Sequence, residues 1–172
     1  MTRPGSAIVT DPLIISDVST TGLVRIEAFS LTPEFCAAFE AAVGVAPPAA
    51  CRTADGAAGV VLWAEAKAWL ADGDASALEA VLGDHAAVSD VSGAWRRIDV
   101  TGEGWRTLMT IEGLLDVENP AFGPGGIAAT VQHHAPVMLH VVTATHLAVY
   151  TAPSFAHHLH HALTTAARRL AA

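Results

Sequence analysis

The sequence predicts an α+β fold in which mostly antiparallel strands pair into sheets and helices pack on them. Short alternating or β-branched segments predict the strands, and capped segments with apolar residues at helical spacing predict the helices. They follow in the order βαβ, a short helix and then ββαββα, without the regular alternation typical of a parallel sheet. We expect a single domain over residues 1–172, with two possible lobes at about 12–85 and 86–172.

The first strand and helix carry clear local signals. The segment 23–29 alternates apolar with charged residues, which predicts a half-exposed strand. Thr32 is a candidate N-cap for the helix that follows, and Gly44 suits the left-handed position that ends it. The Pro- and Gly-rich stretch 46–59 predicts a loop, and the apolar segment 59–63 predicts a buried strand.

The rest of the chain predicts three more helices and four more strands. The Gly- and Pro-rich segment 119–126 predicts a tight loop in which Phe122 packs into the core. The last helix has an apolar stripe, and Ser154 is a candidate for its N-cap. The helices are expected at Asp74–Leu82, Glu103–Glu112 and Pro153–Leu170, the strands at Ala87–Val91, Trp95–Thr101, Val137–Val142 and His146–Thr151, and the stripe at Phe155, Leu159, Ala162, Leu163, Ala166 and Leu170.

Composition and charge exclude several classes of protein. Hydrophobic residues make up 52% of the chain and charged residues 15%, which is unlike a disordered protein and leaves ample surface to bury. The net charge is −8 and no run of Lys or Arg occurs, which argues against a nucleic-acid partner. Short apolar stretches, an N-terminus unlike a secretory signal and two widely spaced cysteines predict a cytoplasmic protein without membrane spans.

Histidines are the most conspicuous chemical feature. Six of the nine lie in two clusters, at 133–134 and 157–161. His157 and His161 are one helical turn apart, as two zinc ligands would be, but no Cys or carboxylate of the same helix completes a tetrahedral set. Measured against the apolar stripe, His157, His160 and His161 point away from the core. The pattern therefore favours a solvated or interfacial helix face over a metal site.

Other chemistry is not indicated by the residues. No nucleophile motif surrounds Ser89, Ser92 or Ser154, and the spacing of the carboxylates does not pair them for acid–base work. The segment Gly123–Gly126 lacks the Lys of a phosphate-binding loop, and Cys36 is expected to be a buried, inert thiol. The four tryptophans favour core or interface packing over stacking on a ligand. The sequence therefore assigns no catalytic, cofactor-binding or metal-binding residue.

Several short motifs follow one another in the C-terminal half in a definite order. They are VSDVSG (Val88–Gly93), IDVTG (Ile98–Gly102), GLLDVENPAFGPGG (Gly113–Gly126), Thr130, LAVY (Leu147–Tyr150) and PSFAHHL (Pro153–Leu159). In this series, which spans about seventy residues, the chain resembles the gamma subunit of heterotetrameric sarcosine oxidase. Through that subunit it resembles the folate-binding domain of aminomethyltransferases. The first fifty residues match only in pattern.

The resemblance implies an aminomethyltransferase folate-domain-like fold and a non-catalytic structural role in a flavoenzyme complex that oxidatively demethylates an N-methyl amine. It implies that the chain brings no cofactor and packs directly against an alpha subunit, with beta and delta subunits in the same complex. FAD, FMN, NAD, tetrahydrofolate and zinc are expected in those partners.

Three alternatives stay open. The first is a subunit of an N-methylglutamate-dehydrogenase-type complex, which looks similar at this subunit. The second is a stand-alone folate- or pterin-binding protein, because of the kinship to aminomethyltransferases. The third is a metal carrier that uses the histidines at 157–161.

Overall fold

The computed structural model describes residues 12–171, and the expectation of no secretory signal concerns residues that lie outside this range. The described helices are α1 (Pro33–Val43), α2 (Ala75–Leu82), α3 (Trp105–Thr110) and α4 (Pro153–Leu170). The described strands are β1 (Ile14–Ile15), β2 (Ser19–Thr20), β3 (Leu23–Ala28), β4 (Thr53–Asp55), β5 (Val60–Glu65), β6 (Ala68–Asp72), β7 (Ala86–Asp90), β8 (Arg96–Thr101), β9 (Ile127–Gln132), β10 (Ala135–Thr143) and β11 (His146–Thr151).

The strands form two sheets. One has six strands in the order β1-β8-β11-β10-β9, with β2 also paired to β8, and the other has five in the order β4-β5-β6-β3-β7. Every pairing between these strands is antiparallel. The predicted α+β class with antiparallel sheets is therefore confirmed.

Side-chain caps begin the two helices that cover the five-stranded sheet. The Thr32 hydroxyl accepts a hydrogen bond from the Phe35 N–H at 3.2 Å, and the Asp74 carboxylate accepts one from the Ala77 N–H at 2.8 Å. Gly44 ends α1 with a φ of 84°, a left-handed conformation that glycine adopts without steric cost. The predicted start and end of α1 are confirmed.

An aromatic cluster fixes α1 on the five-stranded sheet. Phe35 and Phe39 both lie against Trp69 of β6, with ring centroids 5.6 and 5.4 Å from the indole. The Trp69 Nε1–H donates to the Pro48 carbonyl at 2.9 Å, so the buried indole keeps its hydrogen bond. The other buried residues of this outer core are Val24, Ile26, Ala28, Val43, Val61, Ala71, Leu78, Leu82 and Ala86.

The helices α3 and α4 cover the outer face of the six-stranded sheet. Trp105 of α3 is fully buried, and its Nε1–H donates to the Ala144 carbonyl in the β10–β11 turn at 2.9 Å. Alternate residues of β8, β10 and β11 face these helices, as the period of two in a strand requires. Those strand residues are Ile98, Val100, Val137, Leu139, Val141, Leu147 and Val149.

The predicted stripe and cap of α4 are wrong in part, although its bounds agree. Phe155 and Leu170 are 37% and 43% exposed, because small alanines lie next to them on the helix surface and make the contact with the sheet. Ser154 does not cap the helix, since α4 begins at Pro153 after Ala152, which makes no side-chain hydrogen bond. The buried residues of α4 are Ala156, Leu159, Leu163, Ala166 and Ala167.

A third group of apolar side chains lies between the two sheets. The five-stranded sheet contributes residues from β3, β5 and β6, and the six-stranded sheet contributes residues from β9, β10 and β11. Tyr150 is the largest of them and is 1% exposed. The molecule thus has four layers, with a helix pair on each outer face and two sheets packed inside. The inter-sheet residues are Leu23, Leu62, Leu70, Ile127, Met138, Ala148 and Tyr150.

The sheets do not follow the two suggested lobes along the chain. The strand β7 pairs with β3 in the five-stranded sheet, whereas β1 and β2 pair with β8 in the six-stranded sheet. The division of the chain into one domain or two lobes stays a prediction. Strands β1, β2, β4, β6 and β9 were not expected from the sequence, and α3 is shorter than the predicted helix.

Leu139→Ala and Leu114→Ala remove the same atoms from a buried and an exposed site. Leu139 is fully buried between the six-stranded sheet and α4, whereas Leu114 is 78% exposed. We expect Leu139→Ala to lower the free energy of unfolding by about 2–5 kcal/mol because it leaves a cavity. Leu114→Ala should change it by less than about 0.5 kcal/mol. Urea unfolding of the two variants checks this, and equal effects would contradict the layer assignment.

Candidate functional site

The two histidine clusters of the sequence meet in one cleft. His133 and His134 form the turn between β9 and β10, and this turn lies beside His158 and His161 of α4. The cleft has a volume of about 350 Å³. His157, the other residue of the suggested zinc pair, does not line it. We call this site the histidine cleft and define it by Glu112, His133, His134, His158, His161 and Arg169.

Backbone strain is concentrated at the histidine cleft. Glu112, His133 and His134 have φ values of 55°, 47° and 64°, in the left-handed region that costs a non-glycine residue about 1–2 kcal/mol. Surrounding hydrogen bonds hold this geometry. The His133 N–H donates to the Glu112 carbonyl at 3.1 Å, and the Gln132 Nε2–H donates to the Ile111 carbonyl at 2.6 Å.

One carboxylate orients the imidazoles of the turn. The Glu112 Oε2 atom lies 3.1 Å from the His133 Nδ1 and 4.0 Å from the His134 Nε2. A neutral His133 ring therefore donates its Nδ1–H to Glu112 and leaves Nε2 as an acceptor. That Nε2 is buried and finds no hydrogen-bond partner in the described part of the chain. The His158 Nε2–H donates to the His133 carbonyl at 3.2 Å, which ties α4 to the turn.

The histidine cleft is not a preassembled metal centre. Among residues 12–171, no group of three or more His, Cys, Asp or Glu side chains converges in an arrangement that could hold a metal ion. The cleft instead combines four imidazoles and the Arg169 guanidinium with a single carboxylate, that of Glu112. At neutral imidazoles the charges of Arg169 and Glu112 balance, so the cleft is neutral in a chain whose net charge is −8.

An ion network lies at the edge of the space between the sheets. The Asp99 carboxylate accepts hydrogen bonds from the Arg97 Nε–H and NH2 groups at 3.0 and 2.7 Å, and its Oδ1 atom lies 2.6 Å from the His146 Nε2. Burial alone would raise the pKa of Asp99, but the hydrogen bonds from Arg97 and His146 outweigh it and lower that pKa. Arg97 also lies over the Tyr150 ring, with its guanidinium carbon 5.7 Å from the centroid.

Hydrogen bonds of Thr53 in β4 help to join the two sheets. The Thr53 hydroxyl donates to the Gly125 carbonyl at 3.3 Å, and its oxygen lies 3.2 Å from the His140 Nε2. Thr53 therefore accepts the Nε2–H of a neutral His140 ring. Burial, followed by the neighbouring Arg97 and His146, lowers the pKa of His140 to about 4. The sequence did not single out His140, because a lone histidine in an apolar strand carries no motif.

A second, larger groove lies near the C-terminal end of α4. Its volume is about 540 Å³, and it is formed where the start of the described chain passes α3 and α4. Three separate segments build it, so no local pattern in the sequence could reveal it. Its lining residues include Leu13, Ile15, Gly104, Thr107, Ala167 and Leu170.

The other residues considered from the sequence have structural positions. Trp69 and Trp105 are core residues, whereas Cys36 is exposed on α1, so the expectation of a buried thiol is wrong. Phe122 packs against the core between the six-stranded sheet and its helices α3 and α4, as expected. The Arg106 guanidinium donates to the carbonyls of Phe122 and Val117, which fastens the irregular loop to α3. None of the helices in the described residues is long and apolar enough to cross a membrane.

Two antiparallel sheets packed between two helix pairs define the class of this fold, an α+β sandwich. The structure is similar to that of a chain of the heterotetrameric sarcosine oxidase from Corynebacterium sp. U-96, solved in complex with pyrrole 2-carboxylate. The TM-score is 0.82 at 23% sequence identity, and the match covers 93% of this chain and 86% of that chain. The expected resemblance to a sarcosine oxidase subunit is thus confirmed at the level of the fold.

The other comparisons add no functional information. The regulatory subunits of aspartate kinase from Thermus thermophilus, in the ligand-free form, and from Thermus flavus have TM-scores of 0.40 and 0.43. Their identities are 12% and 14%, with 92% of this chain and 98% and 99% of those chains covered. Overlap at this level supports no inference. No protein-family profile and no curated protein matches the sequence.

His140→Gln should reduce the sensitivity of the fold to mild acid. The pKa of His140 is about 4 in the folded chain and about 6.5 in an unfolded one, so the unfolded state binds more protons between these values. The stability from the neutral ring is present above about pH 6.5 and is lost as the pH falls toward 4, by roughly 3 kcal/mol in total. Glutamine does not titrate, so the variant should lose less stability over this range.

Urea unfolding at pH 7.5 and 4.5 measures the effect of His140→Gln. The matched control is His134→Gln, because the His134 side chain is 92% exposed. The control should show the same pH dependence as the wild type. Identical pH dependence in wild type and His140→Gln would contradict the assignment of a buried neutral imidazole.

Proposed function

We propose that this chain is the gamma-type, non-catalytic structural subunit of a heterotetrameric sarcosine-oxidase-type flavoenzyme that oxidatively demethylates an N-methyl amine. The observation that carries the proposal is the superposition of 93% of the chain on a chain of such an enzyme at a TM-score of 0.82. The series of motifs in the C-terminal half supports the same assignment independently of the superposition.

The longest of those motifs has a structural role, which supports a scaffold over a catalyst. Gly113–Gly126 forms the loop that Arg106 fastens to α3. Near its end, the Gly125 carbonyl accepts hydrogen bonds from the N–H and the hydroxyl of Thr53, at 2.9 and 3.3 Å. Gly125 has a φ of 75°, a conformation that side chains rarely adopt. The end of the motif therefore helps to position the two sheets.

Exposed apolar side chains support the proposal that this chain is part of a complex. Phe29 and Leu31, on the connection between β3 and α1, are 61% and 54% exposed, and Leu114 is 78% exposed. Large apolar side chains that lie open in an isolated chain are typical of surfaces that a partner covers. The proposal places an alpha subunit in direct contact, with beta and delta subunits in the same cytoplasmic complex.

Cofactor chemistry is assigned to the partners. FAD, FMN, NAD, tetrahydrofolate and zinc are proposed to bind the other subunits, and this chain is proposed to bind none of them. An N-methylglutamate-dehydrogenase-type complex is the nearest variant of the proposal, and it differs only in the amine and the electron acceptor. The nature of the amine does not follow from this chain.

Co-expression with candidate alpha-, beta- and delta-type chains tests the proposal. We expect a complex of fixed stoichiometry in size-exclusion chromatography with light scattering, and amine-dependent formation of formaldehyde by that complex. Omission of this chain should lower the yield of assembled complex, because the apolar surface of the partner that this chain covers would then be exposed to water. A stable monomer that binds none of these companions would contradict the proposal.

Calorimetry separates the subunit from a stand-alone folate-binding protein. Tetrahydrofolate titrated into the isolated chain should give no heat of binding at millimolar concentration. The same titration into the assembled complex should give a measurable heat of binding. Saturable binding by the isolated chain would favour the stand-alone alternative.

A further inference from the structure

The histidine cleft differs in charge from the rest of the molecule. The chain carries 17 Asp and Glu against nine Lys and Arg, yet α4 contains no acidic residue, four histidines and two arginines. Within the cleft, Glu112 is the one carboxylate, and it already faces His133 and His134. An acidic protein therefore presents one surface that is neutral to positive, and this surface complements a negatively charged partner.

An exposed apolar residue, Leu114, lies close along the backbone to two residues of the cleft. Leu114 follows Glu112 by two residues, and its N–H donates to the Val131 carbonyl at 3.2 Å, two residues before His133. At 78% it has the highest exposure of the large hydrophobic side chains of the described chain. A polar cleft beside an exposed leucine has the composition of a protein-binding surface, in which apolar contact and charge pairing combine. A free small anion would make no apolar contact with Leu114, whereas a protein segment can.

The cleft is rigid in the isolated chain. The hydrogen bonds between His133 and Glu112, and between His158 and the His133 carbonyl, connect the turn to α4. Three residues in left-handed conformation would relax if these contacts were absent, so the packing holds them. The buried His133 Nε2 has no partner in the described residues, and as an acceptor it takes no part in contacts with a carboxylate. A preorganised site of this kind loses little entropy when a partner binds.

We infer that the histidine cleft docks an acidic segment of a partner subunit, whose carboxylates contact His134, His161 and Arg169 while an apolar side chain packs on Leu114. This inference rests on the proposed function, since it names the surface that a companion subunit of the complex uses. A metal ion is disfavoured as the occupant, because no three ligands converge in the described residues.

The docking should depend on ionic strength. The guanidinium of Arg169 carries a permanent charge, and it lies in the cleft with the carboxylate of Glu112. Added salt should therefore weaken the attraction between Arg169 and the carboxylates of the partner.

Charge reversal in the assembled complex provides the first test. Arg169→Glu should weaken binding of the companion subunit by about tenfold or more at pH 6.5. The control is Lys67→Glu, the same change of charge at an exposed residue in the β5–β6 turn, which should leave affinity within about twofold. The double variant His134→Ala with His161→Ala should also bind more weakly than the wild type, because it removes two of the proposed contacts. Equal affinity of Arg169→Glu and Lys67→Glu would overturn the inference while the proposed function stands.

Titration of the isolated chain provides the second test, which does not depend on the complex. The probe is acetyl-hexaglutamate amide, and the readout is the NMR signals of the histidine rings. At pH 6.5 the signals of His134, His158 and His161 should shift and saturate below about 1 mM peptide, and Arg169→Glu should abolish the shift. No shift, or saturation by inorganic phosphate at the same concentration as the peptide, would overturn the docking of an acidic segment.

Discussion

The contact between the two sheets is the constraint on which the rest of the structure depends. Each sheet has one face covered by its own helices, so the second face of each can be buried only against the other sheet. The inner layer meets this requirement with seven apolar residues, Tyr150 among them, and it also contains the ring of His140 beside the Arg97–Asp99 ion pair. The contacts of Thr53 with His140 and with the Gly125 carbonyl connect β4 to the other sheet and so constrain how the sheets align.

Local signals predicted the parts of the fold that local chemistry determines. The Thr32 and Gly44 caps of α1 could be read from the sequence, because capping depends on a few neighbouring residues, whereas Asp74 was expected as the first residue of α2 and is its N-cap. The strands β1 and β2 have two residues each, too few for a period of two to be visible. The strand β6 was missed because most of its residues are buried, since helices cover one face and the other sheet covers the opposite face.

The candidate site could be predicted only in pieces. Both histidine clusters were visible, but 22 residues separate His134 from His157, and only the pairing of β9, β10 and β11 brings the turn beside α4. The place of Glu112 and Arg169 in the cleft could not be predicted from the sequence, because a single carboxylate or guanidinium forms no motif and its role depends on which residues lie next to it in the fold. The fold comparison gives the architecture that surrounds the cleft, and the residues of the cleft come from separate segments of that fold.

The buried neutral imidazole of His140 also determines the order in which the molecule comes apart. Protonation penalises the inner layer first, whereas the two outer cores contain only apolar side chains and keep their packing. The chain crosses from one sheet to the other between β2 and β3 and again between β7 and β8. Protonation of His140 should therefore weaken the contact between the sheets before it weakens either outer core, and the two halves would stay connected through both crossings. The surfaces in that contact are apolar, so the layer that protects them from water is also the layer most sensitive to acid.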